Sequence, residues 1–319
     1  MKIYTNLDEV NLIKRPVLTI GTYDGVHLGH QKIIHYLNTK AKQVGGESVV
    51  FTFHPHPRMV LHPNDHNLEL LQTIDERAKK LEQAGVDHLI IFPFSKEFSR
   101  LTAIEFIRDI LVNKIGIHTL VVGYDHQFGR NREGTMQHLE ELAPLYGFNV
   151  EEISAFMKDE IKISSTKIRA ALQTGDISVA SKYLGDLFEL TGEVVHGDQI
   201  GNTINFPTAN IKLKEDYKLI PYNGVYAVKV ISDGNEFSGM LNIGIRPTIL
   251  DKGEKRIEVH IFDFNSDIYG QILTLKFVKM IRTEKTFANL DQLKNQLTKD
   301  ENKCRVVLGD FSYSPDKKC

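Results

Sequence analysis

The run Val17-Leu18-Thr19-Ile20 passes straight into Gly21-Thr22-Tyr23-Asp24-Gly25-Val26-His27-Leu28-Gly29-His30, and beyond it Ile33, Ile34, Leu37, Ala41 and Val44 recur at helical spacing. No other stretch constrains the chain as strongly. A buried strand, a glycine-rich turn and a helix N-terminus aim free backbone N–H groups and the positive end of the helix dipole at one spot, which makes an anion site. Gly21, Gly25 and Gly29 let the backbone come close to a ligand. His27 and His30 are three apart, so a helix that starts near His27 carries both imidazoles on its first turn. The loop reads as built for a nucleotide triphosphate, with Gly21, Tyr23, Gly25 and Gly29 at the phosphates. It has neither the Gly-Lys-Ser/Thr of a P-loop nor the G-x-G-x-x-G of a dinucleotide site.

Taken alone, the loop admits two other readings. One is a tight turn with surface histidines. The other is a zinc site completed by His54 and His56 of Thr52-Phe53-His54-Pro55-His56-Pro57, although no cysteine is nearby and no H-E-x-x-H is present.

A length of 319 residues points to about two domains. A formal net charge of −2 gives no reason to expect a nucleic-acid or anionic-membrane surface. No apolar run approaches the ~18 residues of a membrane span, and the N-terminus lacks a signal-peptide core. The only cysteines, Cys304 and Cys319, fit a reducing cytoplasm and no disulfide framework.

Residues 1–185 alternate strand and helix patterns. Strands are expected at 17–20, 48–53, 86–92, 119–123 and 148–153, and helices at 73–84, from 102 onward, and at 136–146. Thr73-x-x-Glu76 and Thr102-x-x-Glu105 read as capping boxes and Gly85 as a stop signal. Ile104, Ile107, Ile110 and Leu111 are expected to face inward. Such alternation predicts an α/β fold with a doubly wound, Rossmann-like parallel sheet. Ligands bind such sheets beyond the carboxyl ends of the strands, where the segments after Ile20, Thr52 and Val122 would meet.

The pattern changes near residue 186. Strand patterns at 190–195, 225–231, 237–243, 256–262 and 272–280 follow with no helix between them, Ser232-Asp233-Gly234-Asn235 is a hairpin signal, and 289–308 reads as a terminal helix. A small antiparallel β-barrel or sandwich is expected. The predicted domains are 1–185 and 186–310, with 311–319 a loose tail.

Four further segments carry chemistry. The loop Tyr124-Asp125-His126-Gln127-Phe128-Gly129-Arg130-Asn131-Arg132 holds aromatic rings able to stack on a flat ligand and arginines able to meet phosphate; an ordinary polar loop is the competing reading. Ile163-Ser164-Ser165-Thr166-Lys167-Ile168-Arg169 opens a helix with hydroxyls, free amides and basic charge; by itself it is a helix N-cap with solvated basic residues, and with the histidine loop in the same domain it reads as a second phosphate clamp. Gly192 to Gly201 leads into Pro207-Thr208-Ala209-Asn210, where a Thr hydroxyl and an Asn carbonyl offer oxygens suited to Mg²⁺, or simply form a turn. Glu258 and His260 share one strand face. There Glu258 is either a general base toward a hydroxyl or a solvent-facing charge.

With these motifs assembled, the chain resembles the prokaryotic bifunctional riboflavin kinase/FMN adenylyltransferase (FAD synthetase) family. The first half is similar to the HxGH nucleotidyltransferases through residues 21–31, 52–57, 121–134 and 163–169. The second half is similar to the riboflavin kinase module through Gly192 to Gly201, Pro207-Thr208-Ala209-Asn210, Asn223-Gly224-Val225-Tyr226, Asn242-Ile243-Gly244-Ile245-Arg246-Pro247-Thr248, Glu258-Val259-His260, Tyr269-Gly270 and Arg282-Thr283-Glu284-Lys285. The pairing of the P-T-A-N and N-I-G-x-R-P-T segments makes the resemblance specific.

The resemblance implies two reactions. Riboflavin and ATP give FMN and ADP in the C-terminal barrel, and FMN and ATP give FAD and pyrophosphate in the N-terminal domain. It implies His27, His30 and Arg169 in adenylyl transfer, with Ser164 and Thr166 in the second nucleotide motif. It implies Phe53, His54, Pro55, Asp125, Phe128 and Arg282 at flavin, Gly201 at nucleotide, Thr208 and Asn210 at Mg²⁺, and Glu258 as the base. The implied partners are small molecules only, ATP, riboflavin and FMN, with no nucleic acid and no membrane. Asn202 stands where a basic residue is usual and Asn205 where Gly is usual. Two other functions compete: a nucleotidyltransferase for another acceptor, and a flavin-binding sensor without turnover.

Overall fold

The computed structural model describes residues 1–10, 13–64, 68–123, 127–153, 163–197, 206–245 and 255–309. Contacts divide the chain into two units, Met1–Ser165 and Thr166–Cys319.

In the first unit, β1 (Lys2–Tyr4), β2 (Val17–Ile20), β3 (Ser48–Phe53), β4 (His88–Phe92), β5 (Thr119–Gly123) and β6 (Asn149–Ile153) form one sheet in the order β1-β4-β3-β2-β5-β6. Every neighbouring pair is parallel. The strand order reverses between β2 and β5, the place where an open α/β sheet has a crevice beyond its carboxyl edge.

The helices of this unit are α1 (Leu28–Gln43), α2 (Pro57–Leu61), α3 (Ile74–Gln83), α4 (Ala103–Glu105) and α5 (Met136–Tyr146). Val17, Val50, Leu89 and Val121 pack on one sheet face with Ile34 and Leu37 of α1 and Ala78 and Leu81 of α3. Adjacent residues on the same strands, Leu18, Phe51, Ile90 and Leu120, pack on the opposite face with Phe106, Leu111 and Leu139. Burial on both faces is why the central strands read as continuous apolar runs.

One helix departs from expectation. Thr102 and Glu105 form the capping box, Glu105 N–H donating to Thr102 Oγ1 at 3.2 Å and Thr102 N–H to Glu105 Oε2 at 2.8 Å. Beyond α4, however, Phe106–Val112 is a π-helix, with Asn113 N–H bonded to Arg108 O at 2.9 Å and Ile115 N–H to Ile110 O at 3.0 Å. The wider turn rotates the buried face. Phe106, Ile107 and Leu111 are buried, whereas Ile104, expected inward, is 48% exposed.

In the second unit, α6 (Ser165–Gln173, whose first residue closes the first unit) and α7 (Ile177–Leu184) precede the strands β7 (Phe188–Val195), β8 (Ala209–Leu213), β9 (Gly224–Ser232), β10 (Asn235–Ile245), β11 (Lys255–Ile261) and β12 (Ile272–Thr283). These close into an antiparallel barrel in the order β10-β11-β8-β7-β12-β9. Inward residues alternate with outward ones: Ile257, Val259 and Ile261 of β11 are buried, and Arg256, Glu258 and His260 are only half-buried. The expected hairpin joins β9 to β10 through Asp233 at φ 47° and Gly234 at φ 80°.

The terminal helix α8 (Leu290–Leu308) starts on Asn289, whose Oδ1 accepts Gln292 N–H at 2.9 Å. Cys304 of α8 packs with Val225, Ala227, Met240 and Phe262, and Leu293 and Leu297 join the same cluster. Burial pushes the Cys304 thiol up to about 12, so it is an inert packing group at neutral pH. Cys319 and the tail 311–319 lie outside the described residues.

Candidate active sites

The chain leaves β2 at Ile20 and turns through Tyr23 at φ 48°, Gly25 at φ 91° and Val26 at φ 37° before His27 caps α1. A β-branched residue at positive φ is strained, and such strain persists only where the surroundings enforce it. Here the enforcement is visible. Tyr23 Oη and Thr19 Oγ1 bond at 2.8 Å, Gln31 Nε2 donates to Val26 O at 3.0 Å, and Ser165 Oγ donates to Asp24 O at 2.8 Å. The Asp24 carboxylate, 1% exposed, accepts the N–H groups of Leu71 at 3.1 Å and Gln72 at 3.2 Å.

His27 Nδ1 accepts His30 N–H at 3.3 Å, so the hydrogen of the neutral His27 ring sits on Nε2. The two imidazoles stack with centroids 3.7 Å apart and planes 15° from parallel, and the Tyr23 ring lies 5.0 Å from His30. Burial lowers His27 to about 4, with Asp24 opposing. Burial, His27 and Arg77 together hold His30 well below the ordinary imidazole range. At neutral pH the pair therefore consists of uncharged hydrogen-bond donors at a helix N-terminus. Among the described residues no cluster of three His, Cys, Asp or Glu side chains offers a metal site.

The other residues expected in this half take varied places. Ser164 immediately precedes α6, and Thr166 and Arg169 lie on it, exposed and half-buried respectively. Phe53 ends β3 with its ring 5.4 Å from Phe94 and 5.8 Å from Phe98, and His54 N–H bonds Phe92 O at 3.0 Å before Pro55. Phe128 is 8% exposed, 6.1 Å from Phe106, and its backbone pairs with Gly134. Gly129, at φ 75°, is required by close approach, since a Cβ there would lie 2.8 Å from Ala103 N. Asp125 lies outside the described residues.

In the barrel, Glu258 of β11 stands directly opposite Asn210 of β8 and Asn242 of β10. Opposed residues of antiparallel strands share a face, so the three form one polar row. Arg256 Nη1 reaches Glu258 Oε1 at 3.3 Å. His260 Nδ1 is 2.7 Å from Pro207 O, and because a carbonyl only accepts, Nδ1 carries the hydrogen. That bond pins the segment entering Thr208. Thr208 and Asn210 line a cavity of about 320 Å³ with Val194, Gly197, Val259 and Tyr269. Gly197 makes room for Asn210: a Cβ there would lie 2.0 Å from Nδ2. Two residues with a hydroxyl and an amide oxygen lining one open, partly polar cavity suit Mg²⁺ in donor chemistry, since it takes oxygen ligands and keeps waters and phosphates. Gly201, Asn202, Asn205 and Arg246 to Thr248 lie outside the described residues.

Arg282 of β12 is anchored rather than loose. Its Nε donates to Asp300 Oδ2 at 2.7 Å, Asp300 is fully buried, and Gln296 Nε2 donates to Asp300 Oδ1 at 2.8 Å. Asp300 escaped sequence reasoning, as did Arg77 of α3, which is 2% exposed. Both had a legible signal, a charge on the apolar stripe of a helix: Arg77 falls between Ile74 and Leu81, and Asp300 between Leu297 and Cys304.

Comparison with known proteins agrees with this geometry. The FAD synthetase family model matches residues 11–167 and the riboflavin kinase model residues 184–308. A bifunctional riboflavin kinase/FMN adenylyltransferase of Escherichia coli K12 is 38% identical over 294 residues, spanning 92% of this chain and 93% of the relative. The protein of the same name from Bacillus subtilis is 36% identical over 90% of each chain. A crystal structure described as a macrolide-efflux protein from Streptococcus pneumoniae superposes with a TM-score of 0.84 at 34% identity, covering 95% of this chain and 98% of that one. Among the described residues no helix is long and apolar enough to cross a membrane. Two matching modules in the same order, a histidine loop on a parallel sheet and a polar row on a closed barrel make this chain a member of the bifunctional riboflavin kinase/FMN adenylyltransferase family, which converts riboflavin to FMN and FMN to FAD with ATP.

Proposed function

We propose that the loop from Gly21 to His30 is the adenylyl-transfer site and that the polar row of the barrel is the kinase site. The observation that carries the first assignment is the stacked, uncharged His27–His30 pair at the N-terminus of α1. In adenylyl transfer an FMN phosphate oxygen bonds to the α-phosphorus of ATP and the bond to pyrophosphate breaks. Negative charge builds on the α-phosphoryl oxygens and the leaving group. His27 Nε2–H, His30 and the backbone N–H groups of Tyr23, Gly25 and Gly29 are donors aimed at that charge, while Gly21, whose own N–H bonds Phe51 O at 3.0 Å, shapes the start of the phosphate loop. Ser164, Thr166 and Arg169 belong to the second nucleotide motif that the family resemblance implies. Phe53, His54, Pro55, Asp125 and Phe128 serve the flavin, Phe128 as a buried support.

In the kinase reaction the riboflavin 5′-oxygen bonds to the γ-phosphorus of ATP, and the bond to ADP breaks. Glu258 receives the hydroxyl proton, one of its oxygens being held by Arg256. Thr208 and Asn210 hold Mg²⁺, which supplies charge neutralisation at the phosphates when bound. Gly201 contributes to the nucleotide loop, and Arg282 steadies the flavin side from its anchor on Asp300. The enzyme works in the cytoplasm, in keeping with an unpaired, buried Cys304.

The test is a crossed pair of substitutions in the full chain. Glu258→Gln should lower FMN formation from riboflavin by roughly 100- to 10,000-fold and spare FAD formation from supplied FMN. His30→Ala should do the reverse, lowering FAD formation roughly 100- to 1000-fold. Equal loss of both products in folded protein contradicts the assignment.

A further inference from the structure

We propose that Arg77 is a positioning residue of the adenylyl-transfer site, a buried cation that braces the histidine loop through Thr52 and Thr22 and sets a fixed positive charge beside the stacked imidazoles. The inference rests on the assignment of adenylyl transfer to that loop.

Three observations support it. Arg77 is among the largest fully buried side chains of the chain, at 2% exposure. Burying a guanidinium is expensive, and nothing about packing α3 on the sheet requires one. Its Nη1 lies 3.4 Å from Thr52 Oγ1, and Thr52 Oγ1 in turn donates to Thr22 O at 3.3 Å. Guanidinium, strand end and loop thus form one polar chain. Finally, the start of α3 is locked to the same loop a second time, because Asp24 grips the amides of Leu71 and Gln72 just before the Thr73–Glu76 capping box. Two separate ties between α3 and a strained loop fix Arg77 relative to the histidines.

The consequence is electrostatic. The groups that act on the histidine pair are Arg77 from α3, Asp24 and Tyr23 from the loop, and each histidine on the other. Tyr23 is held as the neutral phenol by burial. His30 Nδ1 is buried and has no hydrogen-bond partner among the described residues. A proton added there would meet Arg77 and His27 with no acceptor. Arg77 cannot lose its own proton. On the side of the histidine loop the triphosphate therefore meets two neutral donors with the fixed charge of Arg77 behind them across the working pH range. Neutral donors gain most as charge develops, which favours the transition state over the bound substrate.

The experiment uses the full chain as wild type, Arg77→Lys and Arg77→Met. FAD formation from FMN and ATP is followed from about pH 5 to 9 with kcat and KM for ATP separated, and riboflavin phosphorylation in the same preparations reports folding. In wild type, NMR of the labelled imidazoles should find His30 titrating well below an ordinary imidazole. Arg77→Met should move the acid limb of FAD formation upward by about one pH unit, a tenfold change in the proton affinity of the pair, and should lower kcat. Arg77→Lys, which keeps the charge, should hold the wild-type limb while losing rate. A wild-type His30 that titrates in the ordinary range overturns the proposal, and needs no variant to fold. So does folded Arg77→Met with an unchanged limb, kcat and KM. If His30→Ala leaves FAD formation intact, the loop assignment itself fails; if His30→Ala abolishes it and Arg77→Met changes nothing, only the role of Arg77 fails.

Discussion

Removing Asp300 should unlatch the terminal helix from the barrel. The carboxylate is fully buried, takes Arg282 Nε at 2.7 Å on one oxygen and Gln296 Nε2 at 2.8 Å on the other, and faces a guanidinium whose side chain is 13% exposed. Asp300→Ala leaves that guanidinium in a largely dry place without its carboxylate. Breaking a buried pair from one side typically costs about 3–5 kcal/mol. Asp300→Asn keeps the shape and one acceptor and should cost about 1.5–3 kcal/mol, the worth of a charge-assisted bond. For a unit of this size each kcal/mol lowers the midpoint by about 2–4 °C, so Asp300→Ala should lower its transition by roughly 6–20 °C. The assay is differential scanning calorimetry of the full chain, with Arg282→Met and the double variant completing a cycle. Because two apolar partners leave no stranded charge, the double variant should be more stable than Asp300→Ala alone. If Asp300→Ala costs less than about 1 kcal/mol, or if the two substitutions simply add, the latch does not exist.

Two further outcomes follow from the same geometry. His27 sits at about 4 in the folded chain against an ordinary 6.5, so between those values the unfolded chain binds more protons. Stability should be fully present above pH 6.5 and fall as pH drops through 4 by up to about 3 kcal/mol, readable as a declining urea midpoint that His27→Gln flattens; an equal slope in the variant refutes it. A fragment of residues 166–309 should fold and make FMN but no FAD, and should be more stable than one beginning at 186. The longer fragment keeps Tyr222 N–H on Leu172 O at 3.0 Å and the buried side chains of Ala180 and Leu184 in α7; equal stability of the two would mean that α6 and α7 contribute nothing to the barrel.

Much of the architecture is legible in the chain because its signals are local. A continuous apolar strand, a glycine turn and a capped helix need no partner to be recognised, so β2, β3, β5 and α5 fall where periodicity puts them. The strand at 209–213 is different. Ala209 and Asn210 read in sequence as the end of a metal or turn motif, and with Ile211 to Leu213 they become β8 because β7 and β11 pair with them. β1 is shorter still, and its pairing with β4 makes it a strand. The π-helix at Phe106–Val112 obeys no local code either; its register sets Phe106 and Leu111 into the core and turns Ile104 out to 48% exposure.

The sequence by itself therefore determined the two fold classes, the histidine loop and the barrel motifs, because each depends on residues close together in the chain. Tertiary structure decided the rest, because each remaining feature depends on groups far apart. Asp24 becomes a brace once Leu71 and Gln72 turn their amides to it. Glu258 acquires its neighbours when β8 and β10 flank β11 and set Asn210 and Asn242 opposite it. The imidazoles of His27 and His30 are written three apart in the sequence, but their uncharged state is not. It comes from burial of both rings and, for His30, also from a guanidinium nearly fifty residues away, and an electrostatic field is a property of space rather than of order along the chain.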